Sequence, residues 1–164
     1  MTRIDFYLLE DVQLIAAARF ACRLAQKAVQ GGRHVYLHAD DPAHASELDD
    51  LLWEYPRNRF LPHEVRTEPP AAELTLQAPQ QNGEAVSLSS PTEVPVVIGY
   101  GQTPIGDEVL INLASQIPDF FGRYERVAEI IVEERREEGR ERYKFYRDCG
   151  YPLYHHELSN WEDA

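Results

Sequence analysis

Basic residues and cysteines are scarce in this sequence. Its 164 residues carry 16 Lys and Arg against 28 Asp and Glu, a net charge of −12. Because neutralised phosphates supply most of the non-specific affinity for nucleic acids, that charge argues against a protein that wraps DNA by itself. The two cysteines, Cys22 and Cys149, stand far apart in predicted helices. We expect them to be reduced packing residues of a cytosolic protein, with a disulfide as the less favoured alternative.

Long apolar runs are missing as well. No stretch approaches the roughly 18 apolar residues that a membrane-spanning helix requires. The first residues, MTRIDFYLLED, lack both the apolar region and the small-residue cleavage site of a signal peptide. We therefore expect a cytoplasmic protein, and its length fits one domain that buries its own core.

Phosphate-binding and catalytic motifs do not occur either. The sequence contains no GxGxxG, no GxxxxGK followed by Ser or Thr, and no GxSxG. His34 and His38 would lie roughly 13 Å apart along one strand, too far to share a metal ion. His155 and His156 form only a weak metal-binding pair. No cofactor, metal ion or catalytic residue is therefore predicted.

The sequence does contain a regular alternation of strand and helix patterns. Its N-terminal part predicts strands at 4–9 and 34–39 and helices at 14–30 and 42–55, the second helix with Asp41 as its N-cap. Strand and helix in this order, with short connections, are typical of a parallel, doubly wound α/β sheet. Further strands are predicted at 94–98, 109–113 and 127–132, and further helices at 118–124 and 133–149.

The remaining segments have no regular pattern. Residues 58–70 are interpreted as a loop, and residues 71–92, rich in Pro, Gln and Ser, as a mobile excursion. Pro95 indicates that the strand at 94–98 either begins there or lies at an edge of the sheet. We assign one α/β domain to residues 1–154 and an acidic C-terminal tail to residues 155–164.

One segment departs from the acidic background. Residues 140–150, RERYKFYRDCG, hold four basic and three aromatic side chains. On a helix that begins near residue 133, a stripe roughly 100° wide collects five residues. These are Arg136, Arg140, Tyr143, Lys144 and Arg147. A basic and aromatic stripe suits a ligand that is anionic and partly apolar.

A second segment, LWEYPRNRFLPH at residues 52–63, concentrates aromatic side chains at a predicted helix end and loop. One interpretation is a loop folded over the core with its aromatic residues half buried. The other is a protein-docking patch, since interfaces are enriched in Trp, Tyr, Phe and Arg. The residues alone leave both interpretations open.

Three motifs, taken in order, resemble the chi subunit family of bacterial DNA polymerase III. They are FYLL near the N-terminus, LW…P…FLPH at 52–63, and RERYKFYR…GY at 140–151. The resemblance covers about residues 1–153. It implies a Rossmann-like α/β fold that binds no nucleotide, in a non-catalytic accessory subunit of the clamp-loader complex.

The resemblance also implies two protein partners. Chi subunits pair with the psi subunit of the clamp loader and bind the acidic, Phe-terminated C-terminal tail of single-stranded-DNA-binding protein. DNA itself would then be contacted only indirectly. The remaining alternatives are a nucleotide-binding enzyme on a Rossmann-like fold and a direct binder of single-stranded DNA.

Each implied partner is assigned its own residues. The partner-tail site comprises Arg140, Tyr143, Lys144, Arg147, Ile131 and Arg136. Arg136 lies in an acidic run that departs from the family's pattern. Psi docking is assigned to Trp53, Pro56 and Phe60.

Overall fold

The computed structural model describes residues 2–10, 13–54, 62–66, 95–101 and 106–158. Pro56 and Phe60, the predicted excursion at 71–92 and the last six residues lie outside these described residues. Within them, no helix combines the length and the apolar character needed to cross a membrane.

Seven parallel strands form one sheet. In chain order they are β1 (Arg3–Leu9), β2 (Val35–Ala39), β3 (His63–Arg66), β4 (Val96–Tyr100), β5 (Val109–Asn112), β6 (Arg126–Ile131) and β7 (Leu153–Leu158). Their order across the sheet is β3-β4-β2-β5-β6-β1-β7. The helices of the described residues are α1 (Leu14–Gln30), α2 (Pro42–Glu54) and α3 (Arg136–Asp148), with 3₁₀ turns at Phe121–Arg123 and Glu133–Arg135.

The two faces of the sheet carry separate apolar cores. Alternate residues of each strand point to opposite faces, so that Leu37 of β2 packs with α1 and α2, whereas Tyr36 packs on the other side. The first core contains Ala21 of α1 and Leu48 of α2. The second contains Tyr146 of α3. Helices on both faces of a parallel sheet confirm the predicted doubly wound, Rossmann-like α/β fold.

Local signals set the ends of the first two helices. Gly31 donates its amide to the Ala28 carbonyl at 3.0 Å, and Gly32 has φ of 85°, a conformation that favours glycine. At the start of α2, the Asp41 carboxylate accepts the amide of His44 at 2.8 Å, which confirms the predicted N-cap. Helix α1 therefore has the predicted bounds, and α2 ends at Glu54.

Two strands at the edges of the sheet correct the sequence-based assignment. The segment interpreted as a loop at 58–70 contains β3, a strand of only four residues. The tail predicted from residue 155 begins later, because residues 155–158 belong to β7, which pairs with β1. Both strands are polar and half exposed, so neither has the apolar run by which buried parallel strands are recognised.

Smaller differences concern Pro95, the short helix and the cysteines. Pro95 directly precedes β4, which lies inside the sheet, so it marks the start of a strand and not an edge. The helix predicted at 118–124 is reduced to the 3₁₀ turn at Phe121–Arg123. Both cysteines are free, but only Cys22 packs in the core, where burial raises its pKa to about 12. Cys149 is exposed, which corrects the prediction that it packs inside.

Candidate functional site

Helix α3 has one face buried against the sheet. Gly139, Arg142 and Tyr146 are buried on that face. A Cβ atom placed on Gly139 would lie 3.0 Å from side-chain carbons of Ile131, so the absence of a side chain lets α3 approach β6 closely.

A buried carboxylate fixes the position of this face. Glu129 of β6 is fully buried and forms an ion pair with Arg142. It also accepts hydrogen bonds from the Tyr146 hydroxyl at 2.7 Å and from the Asn112 side-chain amide at 3.0 Å. Arg142 donates a further hydrogen bond to the Ala114 carbonyl at 2.8 Å. Burial, together with the charge of Glu129, raises the pKa of Tyr146, which therefore remains a hydrogen-bond donor.

The side of α3 next to this buried face borders a cavity of about 690 Å³ at the C-terminal ends of β1, β6 and β7. In parallel sheets ligands commonly bind outside the C-terminal ends of the strands. The cavity is lined by Phe6, Leu8, Leu9, Glu10, Ile131, Arg136, Gly139, Arg140, Tyr143, His155, Glu157 and Leu158. It is therefore built from both ends of the chain.

An aromatic cluster forms part of this cavity's wall. Tyr143 makes an edge-on contact with Phe6, with ring centroids 5.6 Å apart. It also lies 5.0 Å from the ring of His155. These contacts hold Tyr143 half buried, beside the buried side chain of Ile131. These side chains form an apolar surface, and α3 places basic side chains next to it.

The charges around the cavity are unevenly distributed. Arg140 and Arg136 lie on the α3 side, and Glu10 and Glu157 lie at the ends of β1 and β7. Arg136 pairs with Glu133 at 2.9 Å. Within the part of the chain that the structure describes, no carboxylate forms an ion pair with Arg140. Arg140 could therefore bind an anion without first losing an ion pair to a described carboxylate.

Four of the six residues predicted for a partner-tail site meet at this cavity. Ile131, Arg136, Arg140 and Tyr143 line it. Lys144 and Arg147 are exposed on later turns of α3 and, among the described residues, are not part of the lining. Arg147 lies 3.6 Å from the carboxylate of its neighbour Asp148. Of the five residues of the predicted stripe, Arg136, Arg140 and Tyr143 line the cavity.

Sequence reasoning missed the lining residues that β1 and β7 contribute. Phe6 belongs to β1, and His155 and Leu158 belong to β7, which was interpreted as tail. Residues 153–158, LYHHEL, show no regular alternation of apolar and polar side chains, so no local signal identifies His155 and Leu158. Gly139, in a helix of otherwise long side chains, is a local signal for close packing.

The second predicted surface lies at the opposite edge of the sheet. Trp53, near the end of α2, is 61% exposed, and its ring meets that of His63 in β3 edge-on at 5.1 Å. Val65 of the same strand is also exposed. Pro56 and Phe60 lie outside the described residues. Because β3 and β7 are the two edge strands and neighbouring strands lie ~4.8 Å apart, these two strands are separated by roughly 29 Å.

Metal binding has no evident site in the described ranges. There, no group of three or more His, Cys, Asp and Glu side chains is arranged to hold a metal ion. His38 is buried, and its ring nitrogen Nδ1 is hydrogen-bonded at 3.2 Å to the Tyr36 hydroxyl. Burial lowers the pKa of His38 to about 4, so that it is neutral at physiological pH.

A structural comparison agrees with the fold described above. The chain is similar to the crystal structure of T4 UvsW with a TM-score of 0.66 at 10% sequence identity. The match covers 96% of this chain and 42% of that protein, so the chain spans about two fifths of its length. At this identity the similarity concerns the fold alone.

Sequence comparisons identify the family. A model of the family described as "DNA polymerase III chi subunit, HolC" matches residues 1–154. The DNA polymerase III subunit chi of Pseudomonas aeruginosa is 38% identical over 161 residues, covering 96% of this chain and 98% of that protein. The corresponding Escherichia coli subunit is 26% identical, covering 93% and 96%. The chain therefore belongs to the DNA polymerase III chi subunit family, a family of DNA-replication accessory subunits.

Proposed function

We propose that the protein is a non-catalytic adaptor, joining the psi subunit of the clamp loader to the acidic C-terminal tail of single-stranded-DNA-binding protein. One observation carries the proposal. The cavity between α3 and β7 places Arg140, which no described carboxylate pairs, beside an apolar wall of Phe6, Ile131 and Tyr143. An acidic peptide that ends in Phe needs a cation to bind its carboxylates and an apolar surface to bind its Phe ring.

The chemistry of such a tail matches the two sides of the cavity. Its carboxylates would face Arg140 and Arg136, and charge-assisted hydrogen bonds of this kind contribute ~1.5–3 kcal/mol each. Its Phe side chain would pack against Phe6, Ile131 and Tyr143. The acidic residues at the strand side, Glu10 and Glu157, would keep the peptide's carboxylates near α3.

The charge of the whole chain favours a mediated contact with DNA. With a net charge of −12, the protein would repel a phosphate backbone, and most of the charge lies outside the cavity. A peptide presents its few carboxylates locally to α3 and so avoids much of this repulsion. The weaker repulsion of a peptide favours a protein tail over single-stranded DNA as the direct ligand.

The second partner would bind at the other edge of the sheet. Exposed Trp53 beside Val65 supplies an apolar surface of the composition found in protein interfaces. Because this surface and the cavity lie at opposite edges, two partners could bind at once, as an adaptor requires.

The direct test is the titration of a fluorescein-labelled, acidic, Phe-terminated peptide with the chain, followed by anisotropy at 50 mM and 500 mM NaCl. We expect saturable binding that weakens at least several-fold at the higher salt concentration, because the contacts are ionic and partly exposed. The matched control is the same peptide with each Asp replaced by Asn. Equal binding of the acidic and neutral peptides, or tighter binding of a single-stranded oligonucleotide, would contradict the proposal.

A further inference from the structure

His155 of β7 faces the cavity, whereas its neighbour His156 faces the opposite side of the sheet. The ring centroid of His155 lies 5.0 Å from that of Tyr143 and 6.3 Å from that of Phe6, and all three side chains line the cavity. His156 instead lies 2.9 Å from the Asp5 carboxylate. Adjacent residues of a strand point to opposite faces, so the two imidazole rings lie on opposite sides of β7.

The charges of the cavity lining cancel while His155 is neutral. The charged and titratable groups that line the cavity with it, among the described residues, are Arg136, Arg140 and Tyr143 of α3, Glu10 after β1, and Glu157 of β7. The two arginines and the two glutamates carry opposite charges. A protonated His155 would therefore give the lining a net positive charge, which an acidic ligand requires.

We propose that His155 is a proton-dependent cation of the tail site, so that the cavity binds the acidic tail most tightly when this imidazole is protonated. This inference rests on the proposed function of the cavity and adds a pH dependence to it. Among the described residues, no carboxylate forms an ion pair with His155. Its protonated ring could therefore bind a carboxylate of the tail without first losing another contact.

The position of His155 couples its protonation to the binding of the tail. Tyr143, which its ring contacts, is three residues from Arg140 and so lies on the same side of α3. Carboxylates bound by Arg140 would lie near the imidazole, where negative charge favours the protonated ring. By linkage, protonation of His155 strengthens tail binding by the same factor.

Calorimetric titration of the full chain with an unlabelled acidic, Phe-terminated peptide at pH 6 and pH 8 tests the coupling. We expect the parent to bind at least twofold more tightly at pH 6, because the peptide's carboxylates stay ionised at both values whereas an imidazole gains charge at the lower one. His155→Phe keeps a ring beside Tyr143 and should bind equally at both. The matched control is His34→Phe, at an exposed position, which should retain the pH dependence of the parent.

The number of protons taken up gives a second readout, which a merely structural role of His155 would not change. Titrations at neutral pH in two buffers of different ionisation enthalpy measure it. We expect uptake of a fraction of a proton by the parent and by His34→Phe, and none by His155→Phe.

Two results would overturn the inference and leave the proposed function intact. One is equal peptide affinity of the parent at both pH values. The other is a pH dependence and proton uptake that persist in His155→Phe. Absence of peptide binding at both pH values would instead contradict the proposed function and, with it, this inference.

Discussion

Arg140 is the side chain on which the candidate site depends most. It is exposed on α3, lines the cavity, and has no ion-pair partner among the described residues. Arg136 lines the same cavity but already pairs with Glu133. A guanidinium that is not engaged elsewhere can bind a carboxylate without first losing another contact.

We expect Arg140→Ala to weaken binding of the acidic tail peptide about tenfold, because one charge-assisted contact is lost. The melting temperature should stay unchanged, since the side chain is exposed. Calorimetric titration measures the affinity. The control is Arg147→Ala, which removes the same charge outside the cavity lining; equal losses in the two variants would show that only general charge matters.

His38 makes the stability of the fold depend on pH. Burial lowers its pKa from about 6.5 to about 4, so the unfolded chain binds a proton more readily between these values. The contribution of neutral His38 is therefore fully present above pH 6.5 and is lost as the pH falls toward 4.

We expect the free energy of unfolding to fall between pH 6.5 and 4.5, by up to ~1.4 kcal/mol per pH unit from this group. Urea denaturation at several pH values measures the slope. His38→Asn should show a shallower slope over this range, whereas His34→Asn, at an exposed position, should match the parent. Identical slopes for all three would exclude His38 as the cause.

Helix α3 combines support and recognition on its two sides. Its buried side is held by Glu129, and its other side presents Arg140 to the cavity. Breaking a buried, hydrogen-bonded charge pair is costly because it leaves an uncompensated charge. The ion pair and hydrogen bonds of Glu129 therefore fix the position of α3 and of its basic side chains.

Tyr146→Phe should lower the free energy of unfolding by ~1–3 kcal/mol, because the buried Glu129 carboxylate loses one of its donors. Urea denaturation gives this difference. Tyr154→Phe is the matched control, since its ring is exposed, and should change stability by less than ~0.5 kcal/mol. A loss no larger than that of the control would mean that the Tyr146 hydroxyl contributes little to the position of α3.

The strand order separates the two proposed docking surfaces. β3, beside Trp53, and β7, beside the cavity, are the opposite edges of one sheet. A rigid sheet between the surfaces allows each partner to bind without excluding the other. Loss of one surface should therefore leave the other unchanged.

We expect Trp53→Ala to reduce co-purification of psi at least tenfold and to leave the affinity for the acidic tail peptide unchanged. Arg140→Ala should weaken binding of the acidic tail peptide and leave co-purification of psi unchanged. Ile15→Ala, which removes an exposed apolar side chain from α1, serves as the control and should retain psi. Retention of psi by Trp53→Ala would favour the interpretation of Trp53 as a packing residue.

The central elements could be predicted from local patterns, and the edge strands could not. Helix α1 has the predicted bounds, and β2, β5 and β6 lie within a residue or two of the predicted strands, because apolar periodicity fixes which residues are buried. Strands β3 and β7 are polar on their exposed sides and form only because a neighbouring strand offers an unpaired edge. Which strand has an unpaired edge cannot be read from the residues of β3 or β7 themselves.

The candidate site shows the same division. Arg136, Arg140 and Tyr143 follow from helical spacing, because residues four and three positions apart share a side of a helix. That Lys144 and Arg147 lie outside the cavity lining depends on how α3 packs against the sheet, which spacing along the helix does not give. Phe6 and His155 come from opposite ends of the chain, and no local pattern places them together.

The sequence by itself determined the alternation of strands and helices, the acidic charge and the basic stripe, since each depends on residue type and local spacing. The tertiary structure alone decided that β1 lies between β6 and β7, because parallel strands are brought together by crossover helices and by burial on both faces. This order closes the cavity around Arg140 and places Leu158 at its rim. The basic stripe is part of a candidate site only because strands distant in sequence supply the other walls of the cavity.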